Sequence, residues 1–311
     1  MPRLYFASDI HGSDICWKKF LGAATYYKAD VLVLGGDMTG KAIVPLVRDG
    51  KTVRAALLGS SYELDSEAAM QDFEKQVRSR GYYPVRMDKD ERNSYAADPA
   101  SLDVRFRKAV LDTLAAWLDM ASERLPAGVP CFVCPGNDDP LEVDELLAAS
   151  ELIVDGEGKC LDIGGFQLAS TGWTTPTPWN TCREESEAAL RTRIDHMVEG
   201  VADFSRLIFN LHCPPYGTGL DEAPELGADL SIKNAGQSTI PVGSKAVRDA
   251  VKQYRPLVSL HGHIHESKGV ARIGKTLAVN PGSLYEQGVL QGVLLELDAR
   301  KGLKHYVLTT G

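Results

Sequence analysis

Asp9-Ile10-His11, Asp37, Asn137, His212 and His263-Ile264-His265 supply carboxylates, an amide oxygen and imidazoles, and each group follows a short apolar run. A pair of hydrolytic metal ions needs oxygen and nitrogen ligands, a carboxylate able to bridge, and open positions for water and substrate. These residues match that requirement, with Asp37 as the bridging candidate. Asp9 and His11 stand two apart, so strand alternation would point them the same way. His263 and His265 repeat the spacing, and Gly262 leaves room for close backbone approach. A single strand-end Asp reads equally well as a cap, and a lone His as a satisfied polar residue. The clustering is what separates the two readings: four of the seven histidines fall in these groups and His261 stands two residues before His263, leaving His196 and His305 as structural residues. His261 reads as structural or as a supporting neighbour.

Residues this far apart in sequence must be gathered by a fold. Leu4 to Ala7, Val31 to Leu34, Cys131 to Cys134, Leu207 to Leu211 and Pro256 to Leu260 read as buried strands, each ending in a polar cluster. In open α/β sheets the ligand crevice lies outside the carboxyl ends of the strands, so convergence there is expected. Between these blocks the pattern changes. Ala42 to Gly59 reads as a hairpin turning at Asp49-Gly50, and Glu67 to Arg80 and Val104 to Arg124 read as helices. The stretch of about 41–125 is therefore expected to be an insertion or cap within one domain spanning 1–311. Its Lys75 to Arg92 segment carries excess basic charge, which reads as a solvated face or as a surface for an anionic substrate. Ser244 is placed to cap a helix reaching Tyr254, and strands are expected near Thr276 to Val279, Gly288 to Leu297 and Gly302 to Leu308. The Thr/Pro-rich stretch holding Trp173, Trp179 and Asn180 is a candidate wall.

With 44% hydrophobic and 24% charged residues, the composition excludes disorder, collagen and coiled coil. No apolar run is long enough to cross a bilayer, and the first residues lead straight into a strand without a cleavage pattern, so no membrane role and a cytoplasmic location are expected. The six cysteines are too sparse for a disulfide scaffold. Cys131 and Cys134 have redox-motif spacing, but an odd offset on a strand puts them on opposite faces. A net charge of −8 argues against strong non-specific nucleic-acid binding. An anionic substrate would need a local positive centre.

Asp9-Ile10-His11, Gly36-Asp37, Gly136-Asn137-Asp138-Asp139, His212 and Gly262-His263-Ile264-His265 resemble the five ordered blocks of the calcineurin-like metallophosphoesterase superfamily. His212-Cys213-Pro214-Pro215, Gly243-Ser244 and Asn280-Pro281-Gly282-Ser283 resemble its bacterial and archaeal members. The resemblance implies an α/β (α+β) fold, a four-layer α/β/β/α sandwich here carrying a helical and hairpin insertion. It implies two divalent metal ions (Mn foremost, with Fe, Zn, Ni or Mg as alternatives), one held by Asp9, His11, Asp37 and His265 and the other by Asp37, Asn137, His212 and His263. It further implies a phosphoester substrate and two-metal activation of a bridging hydroxide. One departure stands out. Asp138 occupies the position where the family usually has a histidine that protonates the leaving group. An ionised aspartate cannot donate, and two nearby cations favour ionisation, which tilts the expectation toward a small or nucleotide-like phosphodiester. Asp138 also reads as a mere turn residue, and Asp139 as the residue that orients the loop. A phosphomonoesterase, a nuclease and a non-catalytic scaffold retaining the fold are the competing functions, and the oligomeric state is open.

Overall fold

In the computed structural model, which describes residues 2–311, alternate residues along the central strands face different cores, and this alternation stacks the chain in four layers. Leu4 and Phe6 of Arg3–Ala7 and Val31 and Val33 of Val31–Leu34 meet Ile208, Val258, Leu277 and Val279 of a second sheet. Tyr5, Leu32 and Leu34 turn the other way, onto Trp17, Phe20, Val110, Leu114 and Trp117. On the far side, Ala169, Phe209 and Leu211 pack against Leu190, Ile194, Val247 and Val251. One apolar core thus lies between the sheets and one outside each. The expected α/β/β/α sandwich is present.

The first sheet runs Gly302–Thr310, Gln291–Asp298, Arg3–Ala7, Val31–Leu34, Cys131–Val133 and Ile153–Asp155. Its last four strands are parallel, and Gln291–Asp298 pairs antiparallel to both neighbours. The second runs Gln167–Thr171, Leu207–Leu211, Val258–Leu260, Thr276–Asn280 and Gly269–Ile273, with only the last antiparallel. Helices Glu187–Met197 and Lys245–Tyr254 cover the second sheet. Ser244 caps the latter as its position predicts, accepting from Val247 N at 3.2 Å while its hydroxyl donates to Glu187 at 2.6 Å. Ser244→Ala removes both bonds and is expected to cost about 1–2 kcal/mol in urea unfolding.

The stretch read as an insertion divides in two. Ser60–Leu64, Thr52–Leu57, Ile43–Asp49 and Tyr83–Met87 form a separate four-stranded sheet, on which helix Glu67–Ser79 packs through Met70, Phe73 and Val77. The hairpin turn falls at Asp49-Gly50 as expected, with Asp49 paired to Thr52. The parallel strand Tyr83–Met87 has no counterpart in the sequence reading. Nor does the role of helix Pro99–Arg124, whose Val110, Leu114 and Trp117 form part of the outer layer of the first sheet. Trp117 stacks on Trp17 with ring centroids 5.1 Å apart. The basic excess of Lys75 to Arg92 is mostly paired locally: Arg86 with Glu67 and Glu74, Lys75 with Asp72, and Lys89 with Asp49. That favours the solvated-face reading. No helix among the described residues is long and apolar enough to cross a membrane.

Candidate metal centre

The carboxyl ends of five strands deliver the seven predicted residues to one place. Asp9 and His11 follow Arg3–Ala7, Asp37 follows Val31–Leu34, and Asn137 follows Cys131–Val133. His212 follows Leu207–Leu211 in the second sheet, and His263 and His265 follow Val258–Leu260. The loops are laced together by backbone hydrogen bonds, Asp9 N to Gly36 O at 3.0 Å, His11 N to Asp37 O at 2.9 Å and Gly262 N to His212 O at 3.0 Å.

Strand alternation is not what aligns Asp9 with His11, a correction to the spacing argument, because neither residue continues the strand. Asp9, His11, Asp37 and His263 have φ of 55°, 37°, 46° and 67°, in the left-handed region that L-residues adopt only at a cost of about 1–3 kcal/mol each. Four of seven candidate ligands are therefore aimed by a strained backbone, which the packed sheets beneath must hold. Close approach is equally demanding. A Cβ on Gly36, itself at φ 138°, would collide with His212 Nδ1, and one on Gly262 would collide with Asp9 Oδ2.

Asp9 with His11 and His265 form one ligand group and Asp37 with His212 and His263 a second, while His11, Asp37 and Asp138 form a third, the ligand atoms of each lying within 4.8 Å of one another. His265 Nε2 is 3.4 Å from Asp9 Oδ1 and 3.0 Å from His11 Nε2. His212 Nε2 is 3.3 Å from Asp37 Oδ2 and 3.8 Å from Asp9 Oδ1. Asp37 Oδ2 also lies 3.7 Å from His11 Nε2, so this one carboxylate faces both of the first two groups.

The donor set fits divalent cations. Asn137 Nδ2 donates to Thr181 Oγ1 at 2.8 Å and to Asp138 at 3.0 Å, which turns its Oδ1 away, buried and without a partner. His212 holds Nδ1 toward Gly35 O at 3.2 Å, and its buried Nε2 has no hydrogen-bond partner. An orphaned buried acceptor such as Asn137 Oδ1 is rare in folded proteins and calls for an ion or water. Asp9, Asp37 and Asp139 are also buried together, an arrangement that requires compensating positive charge. In the metal-free chain that charge is partly a proton. Burial alone would lower His212, but Asp37 and Asp9 outweigh it and raise the imidazole to about 9. The same histidine holds Asp9 and Asp37 below the usual carboxylate range against the pull of burial. Burial lowers His263 to about 4, with His212 reinforcing the shift. Cations entering the site must displace the His212 proton, so metal uptake should release protons.

Asp138 sits at the edge of this cluster, its Oδ2 3.9 Å from His11 Nδ1 and 3.0 Å from Lys41 Nζ. Burial first and Asp37 second push its carboxyl up to about 6, against the pull of Lys41. The expectation of an ionised Asp138 rested on bound cations, and the structure adds a cationic neighbour that the sequence reading did not have. Asp139 orients the loop as expected. Its carboxylate accepts from Met38 N at 3.1 Å, Thr39 N at 2.8 Å, Thr39 Oγ1 at 2.7 Å and Gly136 N at 2.7 Å.

Three supporting groups lie outside the seven. Lys41 and Thr181 carried no signal in sequence. Ser283 did, through the Asn280-Pro281-Gly282-Ser283 block: its hydroxyl donates to Asp9 O at 2.6 Å, while Asn280 Nδ2 donates to Ile264 O at 2.9 Å. That block braces the histidine loop. His261 turns its Nδ1 to Leu211 O at 2.8 Å and Cys213 O at 3.1 Å, while its Nε2 is buried without a hydrogen-bond partner among the described residues. The Thr/Pro-rich loop reaches the site through Thr181, whereas Trp173 lies under the Arg193 guanidinium at 4.3 Å and Trp179 is exposed. Cys131 and Cys134 are buried free thiols.

No protein-family model matches the chain. The uncharacterized protein MJ1162 of Methanocaldococcus jannaschii is 30% identical over 149 residues, which is 47% of this chain and 61% of that protein. The chain therefore spans less than two thirds of that relative's length. Among solved structures, TT1561 of Thermus thermophilus has a TM-score of 0.54 at 18% identity, with 100% of this chain and 98% of that one covered. A further crystal structure gives a TM-score of 0.58 at 19% identity over 99% of each chain. At these identities the likeness is one of fold.

Proposed function

We propose that this chain, whose fold is that of the calcineurin-like metallophosphoesterases, hydrolyses phosphoric esters with two divalent metal ions and prefers a small or nucleotide-like phosphodiester. The observation that carries the reading is the pair of ligand groups around Asp37, with His212 Nε2 and Asn137 Oδ1 buried and unpartnered. Asp9, His11, Asp37 and His265 would hold one ion, and Asp37, Asn137, His212 and His263 the other. Manganese suits this mixed carboxylate and imidazole set. Such ions, when bound, supply Lewis acidity and a water of lowered pKa for in-line attack at phosphorus.

The chain's own residues do the rest. Gly35 O and Thr39 O face the Nδ1 atoms of His212 and His11, at 3.2 Å and 3.3 Å, which favours tautomers with Nε2 free to ligate. Lys41 adds a fixed positive charge beside Asp138, where it can attract an anionic ester. Asp138 near cations is a carboxylate, and a carboxylate cannot hand a proton to a poor leaving group, so esters with a good leaving oxygen are favoured. The cytoplasmic setting is part of the proposal, supported by Cys16, Cys131, Cys134 and Cys213 being buried as free thiols.

The test compares bis(p-nitrophenyl) phosphate with p-nitrophenyl phosphate, using protein stripped with chelator and reloaded with Mn. Diester turnover is expected to exceed monoester turnover, to vanish on chelation and to return with metal. Asp138→His should raise turnover of phenyl phosphate, a monoester with a poor leaving oxygen, by about 10-fold or more, since a positioned general acid contributes about 10²–10⁴-fold, and should move p-nitrophenyl phosphate much less. No turnover of either ester by a chain verified to hold the metal would overturn the reading.

A further inference from the structure

A cavity of about 500 Å³ has Lys41 in its lining and adjoins, through that residue, Asp138 at the edge of the candidate metal centre. Its walls come from strands Ile43–Asp49 and Tyr83–Met87 and from helices Lys89–Ala97 and Pro99–Arg124. Ile43, Met87, Tyr95 and Phe106 give it apolar and aromatic surface, and its charged lining residues are Lys41, Arg92 and Asp103, the last paired with Arg107. Ligand pockets have this make-up and this size, from about 300 to 1,000 Å³. Two observations connect it to the chemistry. Lys41 lines the cavity, and its ammonium lies 3.0 Å from Asp138, which groups with His11 and Asp37. The walls are also anchored to the site. Phe106 packs edge-on against Tyr83 at 5.7 Å, and the Tyr83 hydroxyl accepts from Gly40 N at 2.6 Å, three residues past Asp37.

We propose that this cavity is a second half-site, seating the flat, aromatic half of a phosphodiester whose phosphate lies at the metal centre. The inference rests on the phosphoesterase reading and narrows it to esters carrying a ring, of which a nucleoside is one size match. The Tyr95 and Phe106 rings offer apolar faces and edges to such a group. Lys41 stands at the junction, where the phosphate meets the ring-bearing half, and Arg92 is exposed among the lining residues.

The test is titration calorimetry of the Mn-loaded protein with phenylphosphonate and with methylphosphonate, neither of which can be hydrolysed at a P–O–C bond. Phenylphosphonate is expected to bind at least about 10-fold more tightly, the value for burying most of one ring. Ala96→Trp, which fills the cavity from an exposed helical position, and Tyr95→Ala, which removes a wall, should each bring that ratio below about 3-fold. Thermal melting of both variants checks that they are folded. Equal affinity of the wild-type chain for the two phosphonates, or a ratio that survives both substitutions, would overturn the cavity proposal while leaving the phosphoesterase reading intact. Failure of either phosphonate to bind, together with no ester turnover, would overturn both.

Discussion

His263→Ala is expected to lower phosphodiester turnover by about 10³-fold or more, because loss of a ligand removes several kcal/mol of charge stabilisation at the phosphoryl group. The protein should still fold. Among the described residues the His263 imidazole makes no hydrogen bond, and its ring lies 5.4 Å, centroid to centroid, from that of His212. The strained φ of 67° is borne by the backbone whichever side chain is present. Unfolding free energy without metal should therefore change by about 1 kcal/mol or less, within the range of ordinary substitutions. Asp37 is a less clean target, since its Oδ1 also accepts from Asp138 N at 2.9 Å. The decisive readout is metal content measured beside turnover. Loss of bound metal with loss of activity establishes the ligand role, whereas wild-type turnover in this variant would remove His263 from the centre.

Asp139→Ala is expected to be the most destabilising single change near the site, costing about 3–5 kcal/mol in urea unfolding of metal-free protein. The carboxylate is fully buried and receives four hydrogen bonds from two loops, those of Asp37 and Asn137. Burial and the nearby Asp37 push its carboxyl upward against the pull of the four donors, and its removal leaves those donors unpaired, each at a cost of about 1–3 kcal/mol in an apolar interior. Asp139→Asn is not a rescue. An amide has one oxygen, and its NH₂ would face donors. Working without metal keeps ligand linkage out of the comparison. A cost below about 1 kcal/mol would mean that the loops hold each other without this residue.

These outcomes separate residues that were legible in sequence from those that were not. Asp9, His11, Asp37, Asn137, His212, His263 and His265 stood out because a polar cluster after each apolar run breaks a pattern that local physics otherwise explains. Asp139 was legible as a loop-orienting residue but not as the acceptor of Thr39 and Met38, which lie about a hundred positions earlier. Lys41 gave no signal, since a lysine opening a variable stretch looks like any exposed lysine until packing sets it beside Asp138. The strands Gln167–Thr171 and Tyr83–Met87 both escaped notice, because parallel pairing joins segments through distant connections with no local mark. Helix Pro99–Arg124 was visible by its periodicity, but its destination was not: three-and-four spacing states that a face is buried, never against what.

Local pattern was enough to specify the strands that end at the site, the identity of the candidate ligands and the cap at Ser244, because these depend on period-two burial, side-chain chemistry and a serine before a helix. How the ligands are aimed came from packing across the whole chain. The alternation that would have aligned Asp9 with His11 stops at Ala7, and left-handed backbone at Asp9, His11, Asp37 and His263 takes over. No residue chooses that conformation locally. It persists because the two sheets and the hydrogen bonds of Asp139 fix the loop ends, and the strain of each ligand is balanced by contacts that segments distant in sequence contribute.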